Sequence, residues 1–218
     1  TKNNLRMFLV KTPALIRALM PAFEWRLPSK EKILYLTFDD GPIPVLTPWV
    51  LDVLQQYGAK ATFFCVGHNV QKHPDIYARI LAEGHSTGNH TFNHLNGWKT
   101  DTTTYLDNVQ KCAEWVDSPL FRPPYGRITR TQRRSLSQQY RLIMWDVLSG
   151  DFSANISPEQ CRDGVIRHAR SGSIIVFHDN IKATKNLHFA LPAVLEHFLD
   201  KGFTFDAINT PFKPRQNT

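Results

Sequence analysis

Lys32-Ile33-Leu34-Tyr35-Leu36-Thr37-Phe38-Asp39-Asp40-Gly41-Pro42 is the stretch from which the rest of the chain can be read. Its opening is an apolar, β-prone run that reads as a buried strand. Two adjacent carboxylates then stand at the strand end, and Gly41-Pro42 stops it. Both cannot enter a core, because a buried ionised carboxylate is costly unless it is paired or bound to a metal. Taken alone, an acidic turn explains Asp-Asp-Gly-Pro about equally well. The distinction comes from the neighbouring segments.

Outward from this stretch, strand and helix alternate. Residues 47–56 carry Val50, Leu51, Val53 and Leu54 at helical spacing before Gly58, and 60–66 is a second apolar strand. Pro74 opens a helix over 74–83 that Gly84 stops, and 85–88 is a short extended piece leading into His90-Thr91-Phe92-Asn93-His94. Helices are expected over 102–115, 129–138, 157–169 and 191–200, and strands over 120–122, 141–145, 173–179 and 203–205. The strand candidates are apolar throughout rather than alternating. This argues for an α/β fold, with about seven parallel strands closed or nearly closed into a barrel and helices outside. No internal repeat, low-complexity segment or second domain is evident. The expected division is a basic, apolar leader over 1–29, a single domain over 30–210 and a polar tail over 211–218.

Composition narrows the function classes. The 218 residues carry a formal net charge of +7, with a pI near 9.4 and a mean hydropathy of -0.33. The charge permits an anionic partner, but the basic residues are scattered, so a nucleic-acid patch is not expected. No apolar run approaches the ~20 residues of a membrane span. In the leader, Met7-Phe8-Leu9-Val10 and Leu15-Ile16-Arg17-Ala18-Leu19-Met20 are interrupted by Lys11, Pro13 and Arg17. A short helix packed on the domain is expected there, with weak membrane-surface contact or a targeting remnant as alternatives. Cys65, Cys112 and Cys161 are too few and too far apart for a disulfide framework or a metal knuckle.

Asp39 and Asp40, His90 and His94, Arg122, Asp151 and His178 all fall at or just beyond the carboxyl end of an expected strand. That edge is where α/β folds build sites. His90 and His94 are four residues apart, so on a helical turn both imidazoles face one way and can grip one ion. Such a pair is often a surface coincidence, and an oxygen ligand strengthens the metal reading. Two imidazoles and a carboxylate leave a position open for water, the pattern of a catalytic zinc or similar divalent site. Asp39 or Asp40 can supply the carboxylate, leaving the other as a general base. His178 reads either as a core histidine or as a proton donor. Asp151 can orient it and raise its pKa, or cap a turn; Arg122 can pair with the base, or form a surface salt bridge. His68 and His73 read as loop or capping residues, and His85 is a rival ligand.

Through these motifs the chain resembles the polysaccharide deacetylases, also called carbohydrate esterase family four, over roughly 32–205. The family's T-F-D-D-G-P motif is matched by Thr37 to Pro42, which implies Asp39 as base and Asp40 as metal ligand. His90-Thr91-Phe92-Asn93-His94 matches H-[ST]-x-x-H, implying two metal ligands, and Arg122-Pro123-Pro124-Tyr125 matches R-x-P-Y. The resemblance implies that Arg122 braces Asp39 and that the backbone N–H of Tyr125 helps hold an oxyanion. The D-x-x-D-W motif is half kept, with Leu148 at the first Asp, Asp151 at the second and Phe152 for Trp. Val176-Phe177-His178 replaces L-x-H and retains the implied catalytic acid. Phe152 and Val176 are implied to line the acetyl pocket, keeping it apolar with an altered shape. The implied fold is a distorted (β/α) barrel. The implied activity is metal-dependent removal of N-acetyl groups from a glycan containing N-acetylglucosamine, such as peptidoglycan or a chitin-type oligomer, with release of acetate. Zn2+ suits two histidines and an aspartate, and Co2+ or Ni2+ fits the same ligands. Alternatives are hydrolysis of another acetyl ester or amide, and a non-catalytic glycan-binding relative. A cell-wall substrate implies export, although the leader shows no clear signal.

Overall fold

Alternation along one strand sets the layers. In a computed structural model describing residues 9–209, β1 (Ile33–Asp39) runs through the centre of the sheet. Leu34, Leu36 and Phe38 are wholly buried and belong to the large core shared with the helices. The intervening Tyr35 packs with Phe64, Leu120, Ile143, Ile174 and Ile208, a smaller cluster inside the barrel. Successive side chains of a strand point to opposite faces, so Thr37 and Asp39 share the inward face with Tyr35.

The remaining strands are β2 (Ala61–Cys65), β3 (Ser86–Asn89), β4 (Leu120–Phe121), β5 (Arg141–Leu142), β6 (Val147–Leu148), β7 (Ile174–His178) and β8 (Thr204–Phe205). The order is β5-β4-β3-β2-β1-β7-β6, and β8 pairs with the first residues of β1. All the ladders are parallel. The curled sheet with surrounding helices is a distorted (β/α) barrel. The helices are α1 (Ala14–Leu19), α2 (Leu46–Gln56), α3 (Gly67–Lys72), α4 (Pro74–Ala82), α5 (Thr102–Ala113), α6 (Arg130–Leu136), α7 (Pro158–His168) and α8 (Thr184–Leu199). Capping boxes at Thr129 and Ser157 open α6 and α7.

Three segments differ from the pattern expected from sequence. The strand expected over 141–145 stops at Leu142, because the next backbone groups turn to the N-terminal segment: Met144 N–H donates to Glu24 O at 2.8 Å. The chain re-enters the sheet as β6. Helix α3 directly follows Val66, over a stretch for which no element was expected from sequence. Helix α8 starts at Thr184 rather than 191 and contains Pro192, because Leu187, Ala190, Leu191, Val194, Leu195 and Phe198 bury one continuous face. Tertiary burial outweighs the local proline preference there.

The segment 10–27 lies across the opening between β5 and β6. Leu148 N–H donates to Val10 O, Thr12 N–H to Asp146 O, Glu24 N–H to Leu142 O and Leu27 N–H to Gly172 O. Phe23 and Trp25 are buried against Tyr105, Phe121, Tyr140 and Leu142. The wholly buried Asp146 pairs with Lys11, Arg17 and Arg26, and accepts from the Ser173 hydroxyl. Helix α1 itself buries nothing, and Leu15 and Leu19 are 69% and 71% exposed. Met7, Phe8 and the tail 211–218 lie outside the described residues.

Candidate active site

The parallel register puts the chemistry on one rim. Asp39, the last residue of β1, is paired with His178, the last of β7. His90 follows the end of β3, and Arg122 follows the end of β4. Side chains from four strand ends therefore meet at the carboxyl edge.

Asp40, His90 and His94 converge, with one donor atom from each lying within 4.8 Å of the others. Asp40 Oδ1 is 2.9 Å from His94 Nε2 and 3.6 Å from His90 Nε2. His90 Nδ1 donates to the Arg122 carbonyl at 2.7 Å, which leaves Nε2 directed at the cluster. Burial pushes His90 down to about 4 despite the nearby aspartates, so its imidazole is neutral, as a ligand must be. Burial opposes ionisation of Asp40, yet the His94 hydrogen bond and the charge of His178 hold its carboxyl well below the usual range. Two neutral-capable imidazoles with an ionised carboxylate, one tautomer already set by a backbone carbonyl, fit a divalent cation.

The two histidines do not sit on a helical turn, contrary to the spacing argument. Thr91 and His94 both have left-handed backbones, with φ of 64° and 55°. The Thr91 hydroxyl accepts from Leu95 N–H, and Asn89 Oδ1 accepts from Thr91 N–H. The loop thus bends both rings inward, to 5.1 Å between centroids. Asp40 (φ 86°) and Tyr125 (φ 60°) are left-handed too. Each such residue costs about 1–2 kcal/mol, and strain of this kind concentrates at functional sites. His85 is not part of the cluster: it is buried on Phe63, and its Nδ1 accepts the Ala61 N–H.

Asp39 faces a different partner. Arg122 is fully buried, and its NH1 donates to Asp39 Oδ1 at 2.6 Å and to the Thr37 hydroxyl at 2.8 Å. Its other nitrogens donate to the Ile143 and Met144 carbonyls, and the guanidinium lies 4.0 Å over the Phe64 ring. Asp151, in the loop after β6, accepts from both the backbone N–H of His178 and its Nδ1, each at 2.7 Å. Burial alone would lower His178, but the Asp151 carboxylate outweighs it and raises the imidazole to about 9. The Phe152 ring stands edge-on to His178 at 4.9 Å. Val176 is wholly buried two residues before His178, on the same strand face. Tyr125, 61% exposed, sets its ring edge-on to His94 at 4.7 Å.

Four neighbours had no sequence argument. Thr37 bridges Arg122 to the Ile175 carbonyl. Asp179 accepts from Gly41 N–H and the Thr47 hydroxyl, and burial pushes its carboxyl up to about 7. Asn69 and Asn180 donate to the carbonyl and the carboxylate of Asp40. Thr37 and Asp179 flank the residues already singled out, so proximity was the available signal for them. Asn69, in α3, had none.

Comparison with known proteins places the chain in a family. The sequence model of the polysaccharide deacetylase family matches residues 26–141. A peptidoglycan-N-acetylglucosamine deacetylase of Bacillus cereus is 36% identical over 192 residues, covering 85% of this chain and 90% of the relative. A chitooligosaccharide deacetylase of Azorhizobium caulinodans is 34% identical over 163 residues, covering 71% of this chain and 77% of the relative. Among solved structures, the Bc1960 peptidoglycan N-acetylglucosamine deacetylase superimposes with a TM-score of 0.82 at 30% identity, over 90% of this chain and 95% of the other. The chain belongs to the polysaccharide deacetylase family of hydrolases.

Proposed function

We propose that the protein removes the N-acetyl group from N-acetylglucosamine units of a glycan of the peptidoglycan or chitin-oligomer type, using a divalent metal held by Asp40, His90 and His94. One observation carries this reading: a three-ligand cluster stands on the same rim as two separately braced groups, Asp39 on Arg122 and His178 on Asp151. A bound divalent ion supplies Lewis acidity for the amide carbonyl and acidifies a water. Zinc suits the donor set best, with cobalt and nickel as substitutes.

The chain's own groups do the rest. Asp39, oriented by Arg122, takes the proton from the attacking water. The backbone N–H of Tyr125 stabilises the oxyanion as the carbonyl carbon becomes tetrahedral. His178, kept protonated by Asp151, gives its proton to the departing nitrogen as the C–N bond breaks. Acetate and a free amino sugar leave. Phe152 and Val176 form the apolar surface for the acetyl methyl, and a change of shape there discriminates close substrates by about 1–3 kcal/mol.

Acetate release from chitin oligomers, peptidoglycan and acetylxylan, measured side by side, tests the reading. Release from the first two is expected, and release from acetylxylan alone would overturn it. Asp39→Asn is expected to keep the metal and lose turnover by about 10²–10⁴-fold. Unchanged turnover would remove Asp39 as the base.

A further inference from the structure

Three consecutive residues leave the end of β7, and each serves a different part of the site. His178 meets Asp151, and Asp179 holds the Gly41 N–H and the Thr47 hydroxyl. Asn180 does two things at once. Its Oδ1 accepts the Ala183 N–H at 3.1 Å, capping the short 3-10 turn over Ile181–Ala183. Its Nδ2 donates to Oδ2 of Asp40.

The second bond bears on a residue that local preferences would not hold in place. Asp40 is left-handed at φ 86°. Its backbone is tied at both ends, with its N–H donating to Phe64 O at 3.3 Å and its carbonyl accepting from Asn69 Nδ2 at 2.7 Å. Those bonds place the Cα but leave the carboxylate free to turn. A carboxylate has two equivalent oxygens and a broad terminal torsion, so without a fixed donor either oxygen, or both, can face a cation. In the structure Oδ2 is engaged by Asn180, while Oδ1 lies 2.9 Å from His94 Nε2 and 3.6 Å from His90 Nε2.

We propose that Asn180 is a positioning residue for the ion-binding carboxylate: its amide occupies Oδ2 of Asp40, so that a divalent cation meets Oδ1 only. This rests on the reading of Asp40, His90 and His94 as the metal site. Outer partners of this kind orient a ligand and are typically worth about 10–100-fold in metal affinity. The engaged Oδ2 favours one oxygen per carboxylate and hence a low coordination number, as zinc and cobalt take with nitrogen ligands.

Asn180→Ser separates orientation from capping. Serine is a good N-cap, but its hydroxyl is too short to cap and also reach Asp40. The full chain is stripped of metal and titrated with Co2+ against a chromophoric chelator, and the visible band of bound cobalt is recorded alongside the Tm of the metal-free protein. Asn180→Ser is expected to bind cobalt about 10–100-fold more weakly, with an altered band and a metal-free Tm close to wild type. Asn180→Ala is expected to show the same loss of affinity together with a lower Tm. Wild-type affinity and an unchanged band in Asn180→Ser would overturn the proposal. A metal-free Tm that falls steeply in Asn180→Ser would assign the residue to the fold instead. If the wild type binds no cobalt, the metal site itself is refuted, and this inference with it.

Discussion

Arg122 has no exposed surface, and each of its guanidinium nitrogens donates to a named acceptor. Burial favours loss of its charge and the Asp39 carboxylate opposes that loss. Removing one partner of such a pair strands the other, at a typical cost of about 3–5 kcal/mol. Arg122→Met is therefore expected to lower unfolding stability in urea by about that amount and to abolish turnover. A loss below about 1 kcal/mol, the range of exposed pairs, would show that Asp39 does not depend on Arg122. His178 offers a sharper reading by pH. It is raised to about 9, so as a proton donor it is charged below that pH and activity should fall as the pH rises through it. Asp151→Asn removes the charge that raises it and leaves burial to lower it. The alkaline limb of kcat/KM should then move down by about 1 pH unit or more. A limb that stays in place would free His178 from Asp151. The identities of these groups were legible in the chain because each stands where an apolar run stops. Spacing alone did not fix their pairings, since Arg122 and Asp39 are 83 positions apart and nothing local couples them; that Arg122 braces Asp39 was implied only by the family resemblance.

The segment 10–27 completes the barrel where β5 and β6 do not pair with each other. Its attachment is uneven: Phe23 and Trp25 are buried and Asp146 gathers three cations, while α1 buries nothing. Phe23→Ala is expected to cost about 3–5 kcal/mol, as for other buried phenylalanines. Leu19→Ser, on the exposed helix, should stay within about 0.5 kcal/mol. Equal effects in a denaturant titration would contradict this division. An interrupted apolar leader reads in sequence as a helix lying on the domain. The residues that bind most tightly here are instead those flanking the helix, because the gap they fill exists only once the sheet has curled.

The barrel core is apolar and separate from the ligand cluster, so the metal-free chain should remain folded. A cation that binds only the native state stabilises it by about 2.7 kcal/mol at 100 times its dissociation constant. For a chain of 218 residues, that corresponds to a rise in Tm of roughly 5–10 °C. Titration with Zn2+ should show the rise and a chelator should reverse it along with activity. A Tm indifferent to both would refute the metal site.

Alternating apolar runs and helical stripes, with ionisable residues at the strand ends, were enough to determine the barrel and the rim that carries its chemistry. Burial periodicity and strand direction are local properties, and they survive in one dimension. The division of labour between Asp39 and Asp40 is different. Asp39 keeps the strand's geometry and points inward to Arg122. Asp40 turns left-handed and delivers its carboxylate to His90 and His94. A non-glycine residue does not take that conformation by preference. Phe64, Asn69 and Asn180 hold it there from three separate elements, and only the folded chain brings those three together.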